Sequence, residues 1–245
     1  MLPLTIFDPN WEATAAKYAA QSPADFLPKT YTQADIDGYL AQRAVLLKSF
    51  ASPENALIEI PFSGNGGASL VLEKPVSRGT VRISAADKYA EPEVDYNGLI
   101  NPIDLDNIVS MLKFARKWIE TPANKGLGAA ETSPGTSVNT DAAIASALRG
   151  GLTPTTAHGC CTSSMMPRDK AGVVGADLLV YGVTRLSVAD VSIMPLIPAT
   201  HPCQTVYAIA EKVLYIYILF RLSVFSFWDV LLTCFFFVWF GRLRI

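Results

Sequence analysis

From Val213 onward the sequence becomes an apolar, aromatic-rich run that ends at Ile245, which limits the fold to a globular part followed by a hydrophobic tail. Leu222 to Phe240 is long enough to span a bilayer, for which about 20 apolar residues are needed. Arg242 and Arg244 follow it, and Asp229 lies near its centre, where a charge is costly. Two readings stay open: a membrane anchor, and an aberrant C-terminus that is not native. Half of the 245 residues are hydrophobic. Without the tail the composition is that of an ordinary soluble domain.

The 20 basic and 22 acidic residues nearly cancel. No basic stripe points to nucleic acid, and no acidic block points to a disordered tail. Cys160, Cys161, Cys203 and Cys234 match no zinc spacing, so no metal site is expected. Adjacent cysteines such as Cys160 and Cys161 seldom bond to each other. The N-terminus has no basic region, long apolar core or cleavage site, so no signal peptide is predicted.

Periodicity and capping residues outline the elements. Asn10 caps a short helix carrying Trp11, Ala15, Tyr18 and Ala19, broken by Pro23 and Pro28. Thr32 caps a second, with Ile36, Tyr39, Leu40, Leu47 and Phe50 on one face. Strand-like runs follow at Ala56 to Ile60, Ser69 to Glu73 and Thr80 to Ile83. Ser63 to Gly67 reads as a hairpin turn between the first two. It is not a dinucleotide fingerprint, because a strand and not a helix comes after it. Asn101-Pro102 opens a helix whose apolar face is Leu105, Ile108, Val109, Leu112, Ala115 and Ile119, and that face is expected to meet the sheet. Residues 121–138 read as loop. Thr140 caps a helix from Asp141 to Arg149, which Gly150-Gly151 stops. Loops and short strands (Leu178 to Tyr181, Leu186 to Val188) lead to a last helix starting near Pro202.

The only two histidines are His158 and His201, each in a loop beside an element terminus. Their surroundings are distinctive. Pro154-Thr155-Thr156-Ala157-His158-Gly159-Cys160-Cys161-Thr162 is followed by Ser164-Met165-Met166-Pro167 and Gly172-Val173-Val174. Leu179-Val180-Tyr181-Gly182-Val183 and Leu186 to Pro195, with Asp190, Ser192 and Pro195 in an Asp-x-Ser-x-x-Pro turn, come next. Ala199-Thr200-His201-Pro202 and Thr205 to Lys212 close the series. Upstream, Leu72 to Val81 and Asp95-Tyr96 add to the pattern. In order and separation these segments resemble the substrate-binding, C-terminal half of the FAD-dependent glucose–methanol–choline (GMC) oxidoreductases, in a fungal-type branch.

The resemblance implies an α+β fold, a mainly antiparallel sheet with packed helices, and the hydrophobic helical tail is added to it. It divides the chain into a lead-in (residues 1–71), the C-terminal-type domain (72–212) and the tail (213–245). It implies oxidation of a small-molecule alcohol by hydride transfer to FAD. In that scheme His158 is the base and His201 its partner at the alkoxide. Asp190 and Val191 meet the ribityl–pyrophosphate region, and Pro202 and Cys203 lie near the isoalloxazine. An imidazole suits proton removal near neutral pH, and the flavin accepts the hydride. Two residues depart from the pattern. Ala157 replaces an aromatic, which reshapes the pocket. Cys161 stands where glycine is common, at a cost if φ is positive there. No G-x-G-x-x-G turn of the kind that opens a complete member of the family is present. The chain therefore reads as a C-terminal fragment that binds FAD poorly by itself. The alternative is a remnant without turnover, attached to a membrane by its tail.

Overall fold

The computed structural model describes residues 1–22, 24–63, 67–84, 87 and 89–222, with side chains described through residue 216. The chain starts with β1 (Leu2–Pro3), α1 (Leu4–Phe7) and α2 (Trp11–Ala20), and continues into α3 (Gln33–Phe50). Thr32 caps α3 through a reciprocal box: its hydroxyl accepts the Asp35 amide while the Asp35 carboxylate accepts the Thr32 amide. The buried stripe of α3 is Tyr39, Arg43, Leu46 and Phe50. Leu40, expected on that stripe, is 39% exposed, because Arg43 takes the inward position one turn on. Arg43 Nη2 donates to the carbonyls of Tyr18, Ala19 and Gln21 at and just beyond the end of α2, where the Tyr18 carbonyl also accepts the Gln21 amide. At Gly38 a Cβ would lie 2.5 Å from the Lys170 carbonyl oxygen, so glycine lets the segment after His158 pack directly on α3.

Next come β2 (Ala56–Glu59), β3 (Val71–Leu72), β4 (Thr80–Arg82) and β5 (Glu93–Asp95). They form two small antiparallel sheets, β1-β2-β3 and β4-β5. The sheet is therefore smaller than expected, and helices carry most of the packing. Residues 64–66 of the expected hairpin turn lie outside the described residues, as does Pro23. The flanks of the turn pair as a hairpin does, with the Ser63 amide donating to the Gly67 carbonyl.

The centre of the fold is α4 (Pro102–Ile119), capped by the Asn101 side chain on the Ile103 amide. Its apolar face divides between two neighbours. Ile103, Ile108 and Met111 join Leu4, Phe7, Phe50, Leu57 and Ile58 in the main core. Leu112 and Val109 instead meet Ile144 of α6 (Asp141–Gly151). Leu112 was expected against the sheet. It faces a helix because α6 crosses α4 on that side, while Ile119 stays only half-buried. The stretch 121–138 contains a short α5 (Pro122–Gly126), and α6 takes in Gly150 and Gly151 before ending. Leu178 to Tyr181 and Leu186 to Val188 form only isolated bridges.

The last element is α7 (Cys203–Leu222). Val213 and Ile216 pack with Ile209 against Val174, Leu178 and Ile193, so the contact runs past Lys212. The proposed span from 222 to 240 lies, beyond its first residue, outside the described residues. Among the described residues, no helix is long and apolar enough to cross a membrane.

Candidate active site

His158 sits in the loop that leaves α6. Its amide donates to Thr155 Oγ1 at 3.3 Å, and its Nδ1 pairs with Thr156 Oγ1 at 3.3 Å. The loop is fixed beyond the histidine as well. Ser164 Oγ donates to the Cys161 carbonyl at 2.6 Å, and the amides of Ser163 and Met165 donate to the carbonyls of Ser192 and Ile193. These last bonds tie the His158 loop to the short turn that Asp190 caps, where Asp190 Oδ1 accepts the Ser192 amide at 2.7 Å. Val191 begins that turn and is half-buried.

His201 comes from the other side, at the mouth of α7. Pro202 is buried and its carbonyl accepts the Val206 amide, so Cys203, Gln204 and Thr205 form the first turn. The amides of such a turn have no carbonyl four residues back, and the helix end is electropositive. Cys203 is exposed there. The two imidazoles meet edge to face, with ring centroids 5.4 Å apart and planes at 70°. The structure thus brings together the two residues that the sequence singled out from distant loops.

A pair of acids completes the cluster, and sequence reasoning missed both. His201 Nε2 lies 3.1 Å from each carboxylate oxygen of Glu59. The glutamate side chain is 15% exposed against 62% for the imidazole. Behind Glu59, on the same face of the sheet and two residue pairs along, is Glu73, only 3% exposed. Burial, the hydrogen bond to Glu59 and that residue's negative charge push the Glu73 carboxyl up to about 7, against an opposing pull from His201. An acid inside the apolar run Ala-Leu-Ile-Glu-Ile was the available signal, since buried carboxylates are rare unless paired.

His158 also borders a cavity of about 520 Å³. Its walls include Leu72, Ile108, Leu148 and Leu196, together with Arg78, Cys160 and Cys161. His201, Asp190, Val191, Pro202 and Cys203 do not line it. The Asp190 carboxylate is turned to the Ser192 amide. Cys161 has φ +76° and Ala157 has φ +65°. The backbone is left-handed on both sides of His158, at the two positions that depart from the family pattern.

Comparison with known proteins places the fold. A solved structure described as a new fungal aryl-alcohol oxidase superposes with a TM-score of 0.84 at 34% identity, covering 91% of this chain and 38% of its own. An FAD-dependent oxidoreductase from Chaetomium thermophilum gives a TM-score of 0.83 at 35% identity, covering 89% of this chain and 37% of its own. Dehydrogenase xptC of Emericella nidulans is 33% identical over 193 residues, 79% of this chain and 31% of that protein. Patulin synthase of Aspergillus clavatus is 38% identical over 168 residues, 67% of this chain and 27% of that protein. The chain spans less than a third of the length of these two curated relatives. The GMC oxidoreductase family model matches residues 75–210, more than half of the sequence and every segment from Pro75 to the start of α7 that carries the histidine pair, and the chain belongs to that family.

Proposed function

We propose that this chain is the substrate-side part of an FAD-dependent oxidoreductase that oxidises a small-molecule alcohol, with His158 as the base and His201 as its partner. The observation that supports the reading best is the 5.4 Å approach of the two imidazoles. Thr156 engages His158 Nδ1, which leaves Nε2 to take the hydroxyl proton. Glu59 accepts from His201 Nε2, so a second hydrogen bond, from Nδ1 to the developing alkoxide, requires the imidazolium form. The Glu59 carboxylate is the group that stabilises that cation.

Residues suited to holding the cofactor are present. Asp190 is exposed and Val191 half-buried on a tied turn, and Pro202 and Cys203 stand at the electropositive end of α7, beside His201. Hydride acceptance is the chemistry that FAD supplies when bound. The chain has no G-x-G-x-x-G turn to hold a pyrophosphate. We propose accordingly that the isolated chain does not retain stoichiometric FAD through gel filtration. A bound-flavin spectrum after that step would contradict this.

The test of the catalytic assignment is a chimera. This chain replaces the matching segment of the Chaetomium thermophilum oxidoreductase, and flavin reduction by a primary alcohol is followed by stopped flow. His158→Ala should slow reduction by about 10²–10⁴-fold with flavin still bound. Unchanged reduction would remove His158 from the role of base.

A further inference from the structure

Two adjacent free cysteines stand just beyond His158 and line the cavity that His158 borders. Both are half-buried. The neighbouring Cys161 thiol, helped by the Arg78 charge, pulls the Cys160 thiol below its ordinary range against the opposing effect of burial. Cys160 and burial push the Cys161 thiol up. Arg78 is fixed in place by Gln42 Oε1 at 3.0 Å and by the carbonyls of Pro75 and Ser77. Two adjacent free thiols, a fixed guanidinium and a cavity that reaches them are therefore assembled at one place. None of them has a part in the alcohol chemistry proposed above.

We propose that Cys160 and Cys161 are a peroxide-reactive thiol pair that closes to a reversible vicinal disulfide. In the first step the Cys160 thiolate attacks one oxygen of hydrogen peroxide. An S–O bond forms, the O–O bond breaks, and the departing hydroxide takes up a proton as water. In the second step the Cys161 sulfur attacks the resulting sulfenic sulfur. An S–S bond forms, the S–O bond breaks, and the hydroxyl leaves as water with the Cys161 proton. Two thiols and one peroxide give one disulfide and two waters, and the thiols supply both electrons.

Reversibility follows from adjacency. Neighbouring Cα atoms across a trans peptide are about 3.8 Å apart, closer than the roughly 4.4–6.8 Å that relaxed disulfides span. Strained disulfides are the readily reduced ones. Closure also acts on His158. The Cys161 carbonyl is anchored by Ser164, and both Ala157 and Cys161 already hold left-handed backbone, so rotation of the intervening peptides falls on the histidine between them.

The experiment needs neither flavin nor turnover, so its failure would leave the alcohol reading untouched. The chain is treated with hydrogen peroxide, then digested without reduction and mapped by mass spectrometry. The peptide carrying Cys160 and Cys161 should lose two hydrogen masses, ahead of any change at exposed Cys203, and dithiothreitol should restore it. Cys161→Gly, which suits a φ of +76°, should instead yield a Cys160 sulfenic acid that dimedone traps. With only two histidines in the chain, the His158 imidazole signal in an NMR spectrum should shift on oxidation and return on reduction. Oxidation at Cys203 first, or a Cys160 sulfinic acid beside a reduced Cys161, would overturn the proposal.

Discussion

His201 Nε2 lies equidistant, at 3.1 Å, from the two carboxylate oxygens of Glu59. A carboxylate that shares one N–H between both oxygens fixes the ring less by direction than by charge. Glu59 in turn leans on Glu73, and two carboxyls this close do not both ionise easily. The proton between them belongs to the pair, and the charge that His201 meets depends on where that proton sits.

The sign of the resulting pH dependence is unusual for an acid. Glu73 is raised from 4.5 to about 7, so the folded state binds a proton more tightly than the unfolded chain. Its contribution to stability is complete below pH 4.5 and is lost as pH rises through about 7, over a span worth at most roughly 3 kcal/mol. Glu73→Gln mimics the protonated form and should flatten that slope. Urea unfolding of both proteins across this window checks it, and parallel slopes would show that Glu73 is not the group responsible.

The histidine pair was legible because the flanking motifs run in a fixed order, and helix caps at Thr32 and Thr140 were legible because capping is local chemistry, although the Asn10 side chain makes no such bond. Glu59 and Glu73 were not. Their meaning depends on the register of β2 and β3, which puts them on one face, and no local signal sets that register. Arg43 shows the same limit. A periodicity argument assigns the inward face of α3 to apolar residues, whereas three carbonyls clustered at the end of α2 draw an arginine there. The sheet was overestimated because runs such as Leu178 to Tyr181 have strand composition but find only single bridging partners.

Leu112 is 4% exposed and packs with Val109 against Ile144, in a cluster separate from the main core. Leu112→Ala should cost about 2–5 kcal/mol, and so should Ile144→Ala. Because the two side chains share one contact, the double variant should cost less than the sum. Strict additivity in denaturant unfolding would mean that α4 and α6 do not depend on each other through this pair.

Cys161 holds φ +76° with a side chain attached, which costs an L-residue roughly 1–2 kcal/mol. Cys161→Ala and Cys161→Gly both remove the thiol, but only glycine relieves the backbone. The glycine variant should exceed the alanine variant in stability by about 1 kcal/mol, even though glycine loses more freedom on folding. Equal thermal midpoints would mean that the loop relaxes out of the left-handed region in solution.

Arg43 is the residue whose loss should be felt most widely in the N-terminal helices. Its guanidinium is buried, gives one nitrogen to three carbonyls, and stands 5.2 Å from the Tyr18 ring centroid. Arg43→Met keeps the length and apolar stem but removes the donor that the Ala19 and Gln21 carbonyls share, and leaves the Tyr18 carbonyl with the Gln21 amide alone. Desolvation of unpaired acceptors sets the cost at about 2–3 kcal/mol. Arg43→Lys separates charge from geometry. A single ammonium can reach one or two of the carbonyls but cannot lie flat on the Tyr18 ring as a planar group does. Lysine should therefore recover part of the loss and no more. Hydrogen exchange locates the effect: the last-turn amides of α2 should lose protection in Arg43→Met, while those of α6 keep it, because α6 packs on α4 and not on α2. A uniform loss of protection across α2, α4 and α6 would show instead that Arg43 supports the whole core and not the end of one helix.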